Sequence, residues 1–273
     1  MVLRARTRII DALTLPTVPT RDDLLAELGL LPTWRLRAAA VAADRKVVAG
    51  PAPTASLPDA HVTGAAAIPP TSETREARIA TLEWRDFAAD VDACTACALA
   101  RTRRKSVPGV GDVRAEWLFV GEAPGSEEDA RGEPFVGQAG KLLDAMLAAL
   151  GLKRGENVYI ANVLKCRPPN NRAPEPREAE SCRPYLDRQI ALIRPRVIVA
   201  LGKSAATTLL DVDATIASLR GRVHRYQGAP LIVTYHPAYL LRNLPDKAKA
   251  WEDLVLARRT LRDARAGGEG QGP

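Results

Sequence analysis

Long apolar runs are missing from this sequence of 273 residues. None reaches the roughly 18 consecutive apolar residues of a membrane span. The first residues, MVLRARTRIIDALTLP, lack a secretory apolar core with a small-residue cleavage site after it. Both absences point to a cytoplasmic protein with no membrane partner. Phosphate-loop signatures are missing as well. The glycine-rich stretch at 121–140 fits neither GxxxxGKS/T nor GxGxxG, since Phe135 stands five places before Gly140 and Leu142 follows Lys141. That weakens any reading as a nucleotide-binding enzyme. Histidine is limited to His61, His224 and His236, phenylalanine to three residues and cysteine to four. In a cytosolic chain of this size, four cysteines that include a CxxC favour a metal or cluster over disulfides.

The rest of the composition is that of an ordinary soluble globular protein, 46% hydrophobic and 26% charged. Lys and Arg outnumber Asp and Glu by 39 to 32, and the isoelectric point is near 9.5. A polyanionic partner suits that surplus, although seven charges over this length are a weak signal. Residues 47–72, VVAGPAPTASLPDAHVTGAAAIPPTS, are rich in Ala, Pro, Thr and Gly without apolar periodicity and read as a linker. Upstream, residues 20–45 have room for a short helix or two but carry no chemical motif. The expected organisation is a largely irregular extension over 1–80, a domain over 81–263 and a disordered tail over 264–273.

Within that domain, four short runs read as buried strands: WLFV (117–120), VYIANV (158–163), VIVAL (197–201) and LIVTY (231–235). Between the first two, Ala139, Leu142, Leu143, Met146, Leu147 and Leu150 fall on one helical face, stopped by Gly151. Between the second and third, REAESCRPYLDRQIALI is helical in pattern, with a kink or division expected at Pro184. KSAATTLL (203–210) and residues 246–263 give two more helices. Strands that alternate with helices imply a three-layer α/β/α sandwich around a four-stranded parallel sheet. Ligands in such sheets lie beyond the carboxyl ends of the strands.

Every motif falls there. GEAPGSEED and GEPFVGQAGKLLDAML follow the first strand, YIANVLKCRPPNNR carries the second, and TYHPAYLLR leaves the fourth. An acidic run such as Glu127-Glu128-Asp129 is, by itself, usually a solvated loop. Together with all four cysteines in order, however, these motifs closely resemble the family 4 uracil-DNA glycosylases, the iron–sulfur branch of their superfamily. The resemblance covers about residues 85–260. It implies a monofunctional enzyme that removes uracil from single- or double-stranded DNA in base-excision repair and acts as a monomer. A base inside a duplex must be flipped out to be reached, at a cost of roughly a few kcal/mol.

By this resemblance Glu122 helps to position or activate the attacking water and stabilises the sugar cation of the transition state, and His236 stabilises the departing anionic base. Gly121 and Ala123 flank Glu122 at the substrate. Phe135 stacks on the flipped base. Asn162 offers a donor and an acceptor side by side, which match uracil O4 and N3–H and misread cytosine. Glu128 is placed near the base C5, where thymine must be excluded. Their rival readings are structural: a strand-end Glu or Asn, a Phe plugging its loop, a satisfied His. After His236, residues Tyr239, Leu240, Leu241 and Arg242 form the loop expected to enter the minor groove, an apolar wedge beside a phosphate-binding arginine. Arg101, Arg103, Arg104 and Lys105 are a second expected phosphate contact. His224 has no motif and is left as structural or DNA-facing, and His61 lies in the linker.

Cys94 and Cys97, then Cys166 and Cys182, have the ligand chemistry of either zinc or an iron–sulfur cluster, and their number does not decide between them. The resemblance implies a structural 4Fe-4S cluster. A related branch traps DNA covalently through a histidine near the third cysteine, but CRPPNNRAPEPREAESC contains none, so ordinary turnover is expected. A non-catalytic cluster-bearing DNA-binding module remains the rival from another class, and Glu122, Asn162 and His236 argue against it.

Overall fold

A computed structural model describes residues 74–269. The helices expected within 20–45, the linker at 47–72, His61 and residues 270–273 lie outside the described residues. Among the described residues, no helix is long and apolar enough to cross a membrane.

Among the described residues the sheet has six strands in chain order: β1 (Val110–Gly111), β2 (Trp117–Gly121), β3 (Val158–Asn162), β4 (Val197–Leu201), β5 (Val223–Tyr226) and β6 (Ala229–Thr234). Their spatial order is β1-β3-β2-β4-β6-β5. β3, β2, β4 and β6 run parallel, as the four apolar runs predict. Every residue of β2, β3 and β4 is buried, which is what a parallel sheet covered on both faces requires.

Two antiparallel edge strands extend the expected four. β1 is only two residues long and pairs with β3. β5 alternates exposed and covered residues and joins β6 through Gln227 and Gly228, both at positive φ (46° and 83°). Two successive left-handed residues make the turn whose twist suits a two-residue hairpin. His224 lies on this edge, and its Nε2 is 2.7 Å from the Leu219 carbonyl oxygen, a structural contact.

Helices cover both faces. α1 (Arg75–Thr81) and α2 (Trp84–Ala93) precede the sheet; α3 (Ser126–Arg131) and α4 (Gln138–Ala149) join β2 to β3; α5 (Pro176–Ile193) joins β3 to β4. α6 (Lys203–Leu210) and α7 (Ile216–Leu219) follow β4, and α8 (Pro237–Leu240) and α9 (Asp246–Glu269) follow β6. On one face Leu118, Val120, Ala161, Ile198 and Val233 meet Leu186 and Ile190 of α5 and Leu209 of α6. On the other, Phe119, Ile160, Val199 and Ile232 meet Leu143 and Leu147 of α4 and Leu254 of α9. This is the expected three-layer sandwich.

Three boundaries differ from the sequence expectation. α5 is one helix, undivided by Pro184, because Cys182, Tyr185, Leu186 and Gln189 on both sides of the proline are buried. That packing offsets the roughly 3 kcal/mol an interior proline costs. α9 continues to Glu269, so residues 264–269 are helical instead of a tail. The domain begins before residue 81, since Ile79 of α1 is fully buried in a cluster with Phe87, Val91 and Tyr185. Thr74 starts that helix by accepting from the Ala77 N–H at 3.2 Å.

Candidate active site

The carboxyl ends of β2, β3, β4 and β6 converge on one small region. Gly121 ends β2 in register with Asn162 at the end of β3. A side chain on Gly121 has no room: its Cβ would stand 2.4 Å from Asn162 Oδ1 and 2.6 Å from Phe135 Cζ. Glycine at this position lets an amide and an aromatic ring approach the same strand end. Asn162 is almost fully buried, and its Oδ1 has no hydrogen-bond partner. A buried acceptor left unpaired costs roughly 1–3 kcal/mol, so such an atom in a folded protein points to a missing donor.

Phe135 is held in a left-handed conformation, φ 55°, which a bulky residue rarely adopts. Gly140, in the first turn of α4, makes room for it, since a Cβ there would lie 1.8 Å from the Phe135 carbonyl oxygen. Arg154 donates to the Pro134 and Phe135 carbonyls at 3.0 and 2.8 Å and to Asp144 at 3.0 Å. Glu128 completes the support: Oε2 accepts from the Gly125 N–H and Oε1 from the Val136 and Gly137 N–H groups, all at 3.0–3.1 Å. Its carboxylate therefore braces the Phe135 loop from behind and is not left free to meet a base. Asp129 is buried and accepts from the Arg104 N–H at 2.8 Å, while Glu127 is exposed. The acidic run is mostly internal scaffolding. Gly140→Ala is expected to cost about 1–3 kcal/mol through overpacking against fixed backbone, read as a lowered melting temperature.

His236 faces the Phe135 ring, with centroids 5.5 Å apart and planes at 29°. Gly202, at φ 93°, makes this approach possible, because its Cβ would be 2.9 Å from His236 Cβ. His236 Nδ1 accepts from the Ala238 N–H at 3.1 Å, capping α8. A neutral ring that accepts at Nδ1 carries its proton on Nε2. Burial, with Arg242 helping and Glu128 opposing, lowers the imidazole to about 4. The ring is thus a neutral N–H donor at physiological pH. An unfolded imidazole binds its proton near about 6.5, the folded one only near about 4. Between these values the unfolded state holds the extra proton, so this group's contribution destabilises the fold as pH falls from about 6.5 toward 4. His236→Asn should lose less melting temperature than the natural chain between pH 7 and pH 5.

Glu122 follows Gly121, half-buried, and its Oε2 accepts from the Ser204 hydroxyl at 2.5 Å. Ala123, also half-buried, packs on the core beneath it. In the loop after β6 the structure separates two adjacent leucines. Leu240 is 1% exposed and belongs to the core, so it cannot serve as a wedge, whereas Leu241 is 43% exposed. A four-residue helix fixes this phase, which the sequence does not reveal. Leu244 is also exposed and lies outside the expected set. Arg242 is exposed, and Tyr239 stacks on Tyr235 at 5.1 Å and donates to Asp246 at 2.7 Å. A cleft of about 790 Å³ lies elsewhere, at the β1 edge beside Trp84, Lys105 and Tyr159, and includes none of Glu122, Phe135, Asn162 or His236.

The four cysteines line one small cavity with Arg103, Lys165 and Tyr185. None forms a disulfide. Three of the sulfurs accept hydrogen bonds: Cys94 from Arg75 at 3.5 Å, Cys166 from Arg103 at 2.8 Å and Cys182 from the Lys165 N–H at 3.3 Å. Arg103 is thereby committed to a sulfur and is withdrawn from the expected phosphate contacts, while Arg101, Arg104 and Lys105 remain exposed. Among the described residues, no three His, Cys, Asp or Glu side chains converge as a ligand set for one metal ion. Four thiols around a cavity flanked by cations nevertheless have the donor chemistry of a group with several metal atoms. Lys165 is fully buried, and burial lowers its ammonium to about 8. Its Nζ donates to the Asn162 carbonyl at 2.8 Å and to Gln189 at 2.5 Å, a direct link from the cysteine cavity to the end of β3.

The family model of the uracil DNA glycosylase superfamily matches residues 108–255. A type-4 uracil-DNA glycosylase of Archaeoglobus fulgidus is 51% identical over 164 residues, 57% of this chain and 82% of that protein. One from Sulfurisphaera tokodaii is 47% identical over 60% of this chain and 78% of its own length. One from Thermotoga maritima is 45% identical over 62% and 89%.

Proposed function

Because the chain belongs to the uracil-DNA glycosylase superfamily, with type-4 enzymes among its relatives, we propose that it flips uracil out of DNA and hydrolyses the bond joining base to deoxyribose. Water is consumed, and free uracil and an abasic site are the products. The observation that carries this reading is the buried, unpartnered Asn162 Oδ1, set beside the Phe135 ring and across from a neutral histidine.

Uracil supplies what that pocket lacks. Its N3–H donates to Asn162 Oδ1 and its O4 accepts from the same amide, whereas cytosine offers an unprotonated N3 and an amino group in those places. Phe135 stacks on the base, worth about 1–3 kcal/mol in such contacts. His236 donates from Nε2 to uracil O2 as negative charge grows there. A neutral imidazole stabilises the leaving anion by a hydrogen bond without having to give up its proton. Glu122 orients the attacking water and stabilises the sugar cation. Glu128 and Arg154 keep the Phe135 loop closed on the base. Gly121 and Ala123 form the floor beside Glu122. Leu241 wedges into the space that the base leaves, while Tyr239 shapes the loop and Arg242 meets phosphate.

Cys94, Cys97, Cys166 and Cys182 would hold a 4Fe-4S cluster. When bound, the cluster supplies a structural tie between the segment before β1 and α5. The protein acts on its DNA as a monomer in cytoplasmic base-excision repair. The test is an oligonucleotide with a single uracil. An alkali-labile break at that position, with cytosine and thymine controls intact and iron and sulfide found in the protein, is expected. Retention of the oligonucleotide without any break would favour a DNA-binding module instead.

A further inference from the structure

Ser204 lies outside every motif that marks the site. It is the second residue of α6, half-buried, and 82 positions after Glu122 in the chain. The fold nevertheless brings its hydroxyl to 2.5 Å from Glu122 Oε2. The approach has a specific cause. β2 and β4 are neighbouring parallel strands, so the loops leaving their carboxyl ends emerge side by side. Gly202 turns the chain at φ 93° immediately after β4, which starts α6 against the Glu122 loop and leaves space for His236.

We propose that Ser204 is a positioning residue for the glycosylase reaction: its hydroxyl fixes the Glu122 carboxylate so that Oε1 faces the water and the sugar. The inference rests on the reading of Glu122 as catalytic. A glutamate carboxylate on three rotatable bonds, half-exposed at a strand end, samples several rotamers unless one oxygen is tied down. A hydroxyl is suited to that role because it donates one hydrogen bond to a charged acceptor without adding charge beside the developing sugar cation. A cation in its place would compete with that developing charge. Helix α6 is itself anchored by buried Ala205, Ala206 and Leu209, so the donor stands on a rigid element. Such preorganisation contributes to the rate more than to binding, because the carboxylate acts on charge that appears only in the transition state.

The experiment compares Ser204→Ala, Ser204→Thr, Glu122→Ala and the double variant Glu122→Ala/Ser204→Ala, each on a single-uracil oligonucleotide. Ser204→Ala should lower kcat about tenfold, because a carboxylate released from its hydroxyl spends less time in the productive geometry, with KM unchanged and at most a small fall in melting temperature. Ser204→Thr should restore most of the rate. In the Glu122→Ala background, the Ser204→Ala change should have no further effect. A full rate in Ser204→Ala beside a crippled Glu122→Ala overturns the inference alone. The same holds for an equal loss from Ser204→Ala with and without Glu122, which would mark a general structural role. A full rate in Glu122→Ala overturns the reading of Glu122 and this inference together.

Discussion

Replacing Glu122 by alanine should slow uracil release by about 10²–10³-fold, the usual loss when one preorganised electrostatic group is removed, while uracil-containing DNA still binds. The other carboxylates after β2 are engaged elsewhere or exposed. Glu128 has three backbone N–H groups on its two oxygens, Asp129 is buried on the Arg104 N–H, and Glu127 is exposed. Of the acidic residues after β2, Glu122 is the one held at the strand end beside the base pocket, with a hydroxyl on one oxygen. Charge on the sugar appears only as the glycosidic bond breaks, so removing the carboxylate raises the barrier and leaves ground-state affinity alone. A gel-shift or anisotropy titration beside the rate measurement separates the two effects. Equal loss of binding and rate would instead assign Glu122 to holding DNA.

Asn162→Ala should produce the second large effect, and in an unusual combination. Its Oδ1 is buried without a partner, so the folded protein bears a desolvation cost that the proposed contact with uracil would relieve. Truncation removes that cost along with both hydrogen bonds to uracil. Activity should fall by about 10²-fold or more, since a site built to hydrogen-bond its substrate loses heavily when those bonds are unmade. The melting temperature should stay the same or rise, the trade-off expected where a site is kept destabilised for function. A scanning thermal denaturation beside the rate assay reads both. A variant that is inactive and also much less stable would show that Asn162 serves the fold.

How much of this the sequence reveals depends on whether a feature is local. The four central strands are legible because parallel strands buried on both faces become continuous apolar runs such as VIVAL. β1 is not legible at two residues, and VHRY in β5 lacks an apolar face, although Gly228 after it is a turn signal. Glu122, Phe135, Asn162 and His236 stand in recognisable motifs at strand ends. Their supports do not. Ser204 is an ordinary helix residue in KSAATTLL, and Arg154 sits in a turn, 19 residues from the Phe135 carbonyl it holds. Such contacts depend on which loops the sheet order makes neighbours. Glu128 was partly legible, since a glutamate three residues after Gly125 at a helix start has the geometry of a cap. The different fates of Leu240 and Leu241 follow from the rotation of a single helical turn, which periodicity cannot fix over four residues.

The most direct measurement is the single-turnover release of free uracil from a uracil-containing oligonucleotide by the full chain, beside Glu122→Ala and His236→Ala. Rapid release by the natural chain and a steep fall in both variants, with DNA still bound, are expected. No release by a natural chain in which iron and sulfide are found and which binds the oligonucleotide would contradict the glycosylase reading.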